Sequence, residues 1–268
     1  MPLAELWIRA VAQEIQRLYN HTRQIARVAE AASQNVGQAQ MAALSEEMLR
    51  LAGRLFGHRW LFGALLPGGP PRRLDLADRR FAADRLRDFG RGFDDLWALF
   101  LGSRTFLDRV QTTATVPRAA AIRFGAVGPT LRAAGVPWDD RLRTPTPPYD
   151  DLFLALPQET EGDGLARLLV RAGEVRSSLL LLDQLLDRWD RVRAEEVAPA
   201  PAVGPDRGLA RTEAPSGDLV YDVRLAGGRV AAVGMRTPSQ AHWPLLALGC
   251  GAASSRTSIS RSRRSASP

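Results

Sequence analysis

The chain has 268 residues, 45% of them hydrophobic and 24% charged, a balance that excludes a disordered chain and leaves room for one large core or two modest ones. The formal net charge of +7 invites a nucleic-acid reading, but every basic residue is Arg, none is Lys, and Arg256, Arg261, Arg263 and Arg264 follow Gly249, where no acid remains. With abundant Ala, Gly and Pro, this pattern reflects a coding bias rather than a basic patch, so no nucleic-acid partner is expected.

From the N-terminus, Leu3, Trp7, Val11, Ile15, Leu18, Ile25 and Val28 have the spacing of an amphipathic helix over residues 3–32. A second helix is predicted over Met41–Leu55, ending near Gly57. Leu66-Pro-Gly-Gly-Pro-Pro71 then breaks the chain into a turn. Leu86, Phe89, Phe93, Trp97, Phe100 and Leu107 indicate one long helix, or two joined near Gly102, over about residues 76–113. Residues 125–157, rich in Gly and Pro, read as an irregular but ordered excursion. Leu165, Leu168, Ala172, Val175, Leu179, Leu182 and Leu186 alternate in steps of three and four, the seam of a helix packed in a bundle, with Asp163 placed as its N-cap. Residues 198–206 form a semi-rigid connector. Leu219–Leu225 and Arg229–Met235 flank Ala226-Gly227-Gly228 as a β-hairpin. The expected architecture is mainly α: a helical bundle over 1–197, the linker, a small β-hairpin element over 207–248, and a tail from 249 to 268.

Polar residues on apolar helix faces are the candidates for chemistry. At 100° per residue Glu14 and His21 fall within the apolar arc of the first helix, with Arg17 at its flank. Buried ionisable groups need partners, since each stranded ion costs on the order of several kcal/mol. Two readings stand: a hydrogen-bond network that holds helices in register, or a proton-relay or quinone-site wall in which His and Glu exchange protons. A second polar stripe, Arg167, Arg171, Glu174 and Ser178, is offset from the leucine seam. Arg171 and Glu174 can pair, whereas Arg167 and Arg171 repel. The stripe is either a solvated face or wants an outside carboxylate, for which Asp139 and Asp150 are available.

No phosphate-binding glycine loop, dinucleotide fingerprint, zinc-protease helix or serine-hydrolase elbow is present. His21, His58 and His242 are too scattered for a zinc site, and His242 reads as a packing residue. Cys250 is the single cysteine, so neither an intrachain disulfide nor a cysteine-built metal centre is expected. No apolar run reaches the roughly 18 to 20 residues that span a bilayer, and no secretory segment follows Met1. A cytoplasmic location is expected.

Gly128-Pro129, Leu131-Arg132-Ala133, Gly135-Val136, Trp138-Asp139, Arg141 and Tyr149-Asp150, with the stretch Asp163–Leu182, carry a family resemblance, and Leu6–His21 and Arg236–Leu246 agree with it. Over about residues 6–247 the sequence resembles the large subunit of membrane-associated [NiFe] hydrogenases of the formate hydrogenlyase and hydrogenase-4 type, and the homologous D subunit of NADH-quinone oxidoreductase, complex I. The resemblance implies a hydrogenase large-subunit-like helical core, an oxidoreductase role with electron transfer to or from protons, hydrogen or quinone, and quinone or NAD binding in the assembled complex. It implies an Fe–S small subunit and membrane-arm subunits as partners, at the inner face of the cytoplasmic membrane. The family pattern E-x-x-R-x-x-x-H is intact at Glu14, Arg17 and His21. Arg59, in Gly57-His58-Arg59, matches a family arginine near the contact with the electron-transfer subunit. Asp139 and Arg141 match an anchor of the fold.

Three departures limit the carry-over. The two cysteine pairs that hold the Ni–Fe centre in hydrogenase large subunits are absent, and soft thiolates are what those metals require. The His and Tyr that contact quinone in the complex I homologue belong to an N-terminal region that this sequence does not match. An acid usual at the end of the first helix is replaced by Asn35. No cofactor is therefore expected in this chain as given, and a fragment truncated at both ends, inactive alone, is the expectation; the other reading is a non-catalytic scaffold that binds the Fe–S small subunit. The tail Gly249–Pro268 reads either as disordered or as the product of a frameshift, since codons for Ser-Ser-Arg-Thr-Ser can encode Ile-Val-Pro-Asp-Phe in another frame.

Overall fold

The protein is described by a computed structural model over residues 3–64, 74–188 and 206–249. The Leu66–Pro71 turn, nearly all of the linker and the tail from Cys250 onward lie outside the described residues. Two compact units divide the chain: Met1–Phe106, Asp139–Leu156 and Arg171–Asp206 form the first; Leu107–Trp138, Pro157–Val170 and Arg207–Pro268 form the second.

In the first unit, α1 (Leu3–Ala31) and α2 (Asn35–Phe56) pack side by side. Trp7, Val11, Ile15, Leu18 and Ile25 are buried as their spacing predicts, but so are Ile8, Ala12 and Tyr19, so α1 is enclosed on more than one face. Where the two helices meet, the Ser45 hydroxyl donates to the Tyr19 carbonyl at 3.0 Å. The second helix begins six residues earlier than its apolar pattern indicates, because its first turns expose Val36 and carry little apolar signal. Asn35 opens α2 rather than ending α1. Gly57 closes α2 with φ +81°, and its N–H donates to the Gly53 carbonyl, a left-handed cap that glycine adopts without a Cβ penalty.

The next helix, α3 (Leu76–Gly102), starts at a reciprocal capping box between Asp75 and Asp78. It breaks at Ser103 before α4 (Arg104–Val110), the second of the two arrangements that the sequence allowed. Leu86, Phe89, Phe93, Trp97 and Phe100 are all buried, and successive rings stack at 6.3 and 6.4 Å between centroids. The excursion after residue 125 is punctuated by short helices, α6 (Pro129–Ala133) and α7 (Asp140–Arg143), and a 3-10 turn at Tyr149–Asp151, with α5 (Arg118–Arg123) just before it.

The long α8 (Gly164–Asp187) buries Leu168, Ala172, Val175, Leu182 and Leu186 of the predicted seam, while Leu165 and Leu179 are half-buried. Asp163 caps it: its Oδ1 accepts from the Ala166 N–H at 2.8 Å and its Oδ2 from the Thr112 N–H at 2.6 Å. Both bonds are lost in Asp163→Ala, which should lower stability by about 1–2 kcal/mol in urea unfolding. A change within error would mean that Asp163 contributes no cap.

In the second unit, Val116, Ala121, Ala126, Leu131, Ala134 and Leu245 form one cluster and Ala133, Ala166 and Val170 another. The C-terminal β-element is a three-stranded antiparallel sheet, β1 (Arg207–Ala214), β2 (Gly217–Ala226) and β3 (Arg229–Arg236), in that order. The hairpin read from the sequence is β2–β3. The added strand β1 is exposed from Arg207 to Thr212, so no alternation of apolar residues announced it. A helix over 238–249 follows.

Candidate functional site

Glu14, Arg17 and His21 occupy successive turns of one face of α1, and all three are at most 1% exposed. Glu174 and Ser178, one turn apart on α8, are both fully buried. The segment that carries Asp139, Arg141 and Tyr149 completes the cluster, so all of its members belong to the first unit.

Each oxygen of Glu14 has several donors. Arg141 Nη1 donates to both at 3.1 Å, the Tyr149 hydroxyl donates to Oε1 at 2.7 Å, and the Ser178 hydroxyl donates to Oε2 at 2.6 Å. Arg17 Nε adds an ion pair at 3.6 Å. Burial alone would push the Glu14 carboxyl up; Arg141, Arg17 and the two hydroxyls outweigh it and hold the pKa below the usual value. Burial, and then the same carboxylate, push Tyr149 well above the ordinary phenol range, so its proton stays in the hydrogen bond. Arg141 is in turn gripped by Asp139, with Nε to Oδ1 at 2.9 Å and Nη2 to Oδ2 at 2.7 Å, a two-pronged geometry that lysine cannot reproduce.

His21 joins the cluster through Glu174. Its Nε2 lies 2.8 Å from Glu174 Oε2, which Arg17 Nη1 also approaches at 3.3 Å. On its other side, Nδ1 lies 3.1 Å from Arg171 Nη1. Guanidinium has only donors, so Nδ1 must accept and the ring proton must reside on Nε2, where it donates to Glu174. Burial pushes the His21 pKa down from 6.5 to about 4; Glu174 opposes that shift, and Arg171 and Arg17 reinforce it. Near neutral pH the ring is an uncharged bridge between a carboxylate and a guanidinium.

The cluster therefore brings together Glu14, Arg17, His21, Asp139, Arg141, Arg171 and Glu174. Arg167 lies elsewhere, in the second unit: its Nη1 donates to the carbonyls of Ala114 and Gly162 at 3.0 and 2.8 Å. Glu174 and Ser178 are buried, so the stripe on α8 is not a solvated face. Asp150 is exposed. Arg59 sits on the surface, paired with Glu46 and lying over the Trp60 ring at 5.7 Å.

Sequence reasoning did not connect Tyr149 to Glu14, and it missed the buried pair of Arg132 and Glu213 in the second unit, at 2.7 Å. These partners are 135 and 81 positions apart. No periodicity reports such a distance.

Among the described residues no group of three or more His, Cys, Asp or Glu side chains could hold a metal ion, and the sequence has one cysteine. The residues of this stretch do not fit a four-thiolate Ni–Fe centre. Three clefts among the described residues, of about 500, 280 and 150 Å³, are lined without Glu14, Arg17 or His21, so none of them presents this cluster to a quinone. No helix among the described residues is long and apolar enough to cross a membrane.

Comparison with known proteins agrees with this arrangement of helices. The family described as "Respiratory-chain NADH dehydrogenase, 49 Kd subunit" matches residues 38–204. The chain is 27% identical over 241 residues to the alpha subunit of the membrane-bound hydrogenase of Pyrococcus furiosus, which covers 83% of this chain and 56% of the relative. It is 32% identical over 190 residues to the D subunit of the NADH-quinone oxidoreductase of Ehrlichia canis, covering 70% of this chain and 48% of the relative. Its fold is similar to a chain in the structure of the membrane-bound sulfane sulfur reductase, "an archaeal respiratory membrane complex", with a TM-score of 0.79 and 26% identity, covering 90% of this chain and 67% of that one. The chain spans about half the length of the curated relatives it matches. With the family matched over more than half of its residues, the chain belongs to the 49 Kd subunit family of respiratory-chain NADH dehydrogenase.

Proposed function

We propose that this polypeptide serves as the large-subunit-type component of a membrane-associated redox complex of the hydrogenase or NADH-quinone oxidoreductase kind. It works beside an Fe–S small subunit and membrane-arm subunits, peripheral to the inner face of the cytoplasmic membrane. The role of the assembled complex is electron transfer to or from protons, hydrogen or quinone; the Ni–Fe centre of the formate hydrogenlyase type is outside what these residues supply. The observation that carries this reading is the family match over residues 38–204 together with a fold shared across 90% of the chain.

Within this role the Glu14–Arg17–His21 group holds α1 and α8 in register and fixes the protonation of the interior, with a neutral His21 ring between Glu174 and Arg171. The ring proton rests on His21 Nε2 and is donated to Glu174 Oε2 across 2.8 Å, so His21 can hand it on only as another proton arrives at Nδ1, which requires the Arg171 guanidinium to move aside. Arg171 keeps Nδ1 an acceptor and so keeps the proton on that side. A non-catalytic scaffold subunit that binds the Fe–S small subunit is the second reading, favoured by the single cysteine.

Co-expression with an Fe–S small subunit of this type of complex, followed by affinity purification, Fe–S electron paramagnetic resonance and assays of hydrogen- or NADH-dependent quinone and dye reduction, separates the two. A complex that turns over supports the redox role. A stable complex with an intact cluster and no turnover supports the scaffold. If no complex forms, both readings fail.

A further inference from the structure

The sheet near the C-terminus is amphipathic in a way that leaves one edge unfinished. Successive strand residues point to opposite faces and cross-strand partners share a face. Leu225 is opposite Val230, Val223 opposite Val233 and Tyr221 opposite Met235, so these six side chains share one face. Ala226 is opposite Arg229, Arg224 opposite Ala232, and Val220 opposite both Arg236 and Arg211, which puts the arginines on the other face.

The register makes this possible. Between Arg224 and Leu225 the pairing shifts by one residue on β3, leaving Ala231 without an opposite number. That bulge turns Val230 onto the apolar face and Arg229 onto the arginine face. Without it the two ends of β3 would carry opposite patterns.

Every residue of β3 is exposed. Val230, Val233 and Met235 are 62%, 58% and 52% exposed, and β3 is an outer strand of the sheet. Its interior has no proline, lysine or acid, so the bulge at Ala231 is the one device in it that blunts a free edge. On the far side of the sheet the arginine face is neutralised by diagonal carboxylates: Arg207 pairs with Asp222 and Arg211 with Asp218, both at 2.7 Å. Among the described residues Arg229 and Arg236 form no ion pair. A second copy of β3 pairing antiparallel over its full length would set Arg229 opposite Arg236 at both ends, which like charges disfavour. The two stretches of the sequence that flank the sheet fit poorly: nothing after Gly249 is acidic, and Pro199, Pro201 and Pro205 lack an N–H to donate.

We propose that the free edge of β3 accepts a fourth, antiparallel strand from a partner polypeptide. This segment carries carboxylates at both ends on the arginine face and alternating apolar side chains on the face of Val230, Val233 and Met235. Main-chain bonds to the edge supply affinity, and the two terminal carboxylates set register and choice of partner. The inference is independent of the redox reading.

The test uses the full chain, isotope-labelled for NMR, titrated with the blocked peptide Asp-Val-Thr-Val-Thr-Val-Asp and with its Lys-ended counterpart. The acidic peptide should shift the amides of residues 229–236 saturably, and the Lys-ended peptide should not. In Arg229→Glu with Arg236→Glu, two exposed changes whose fold is checked by circular dichroism, affinity for the acidic peptide should fall about tenfold or more, and the Lys-ended peptide should become the ligand. Absence of shifts in β3 would overturn the proposal, as would equal binding of both peptides by the unmodified chain. A concentration-dependent dimer with β3 at its interface would assign the edge to a second copy and overturn it as well.

Discussion

Replacing Arg141 with leucine should lower the free energy of unfolding by about 3–5 kcal/mol, the cost of stranding buried charge. Arg141 is 5% exposed and its guanidinium spans two carboxylates, Glu14 on α1 and Asp139 two residues upstream. Leucine fills part of the space but leaves Glu14, fully buried, with one guanidinium, that of Arg17, where it had two, beside the same two hydroxyls. The pKa of Glu14 should rise in the variant, because Arg141 is the strongest influence holding it down. Arg141→Lys should recover only part of the loss, since an ammonium cannot make the two-pronged contact with Asp139 while reaching Glu14. The double variant Glu14→Leu with Arg141→Leu should be markedly less destabilised than the sum of the single changes, because the second substitution removes the charge stranded by the first. Urea denaturation followed by circular dichroism reads all three. A loss below about 1 kcal/mol for Arg141→Leu, in the range of an exposed pair, would mean that water reaches the cluster and that its closure is wrong.

The second large effect is on pH. His21 is held near a pKa of about 4, against 6.5 when exposed. As pH falls below 6.5 the unfolded chain takes up the proton first, and the folded state is left behind. The contribution of His21 is therefore complete above pH 6.5 and is lost as pH falls through about 4, amounting to about 3 kcal/mol over that interval. The groups around the ring explain the sign. Glu174 favours the imidazolium, but burial opposes it, and Arg171 and Arg17 lie close enough to add repulsion. A protonated ring would also set an N–H on Nδ1 against the Arg171 donor at 3.1 Å. His21→Gln keeps a donor for Glu174 and cannot titrate, so its stability should vary less between pH 7 and pH 4.5 than that of the unmodified chain. Stopping at 4.5 keeps the titration of Glu14, whose pKa lies lower, out of the comparison. Parallel stability–pH curves for the two proteins would show that His21 is not held neutral by the fold.

The same contacts that stabilise the interior also decide where the His21 ring proton sits. The Arg171 contact assigns the tautomer of His21, and the Glu174 contact gives that proton its acceptor. Under the redox role proposed above, loss of α1–α8 packing and loss of a proton relay through His21 would each lower turnover. His21→Gln, which causes only the second, therefore separates the two roles.

Helical periodicity determined much on its own: the buried ring stack of α3, the seam of α8 and the cap at Asp163 follow from residues three and four apart, which share a helix face whatever surrounds them. The same rule placed Glu14 and His21 among Val11, Ile15, Leu18 and Ile25, and a buried acid and imidazole must be partnered. The identity of the partners was beyond it. Arg141 is 127 positions from Glu14 and Glu174 is 153 from His21, and the chain path that closes those distances is set by packing of several elements at once. Likewise β1 exists because β2 offers it a backbone ladder, not because of any pattern of its own, and the early start of α2 rests on tertiary support for turns with little apolar signal. The protonation of the cluster was undetermined for the same reason. A side chain's pKa depends on the charges and the water within a few ångströms, and only the tertiary structure decides which those are.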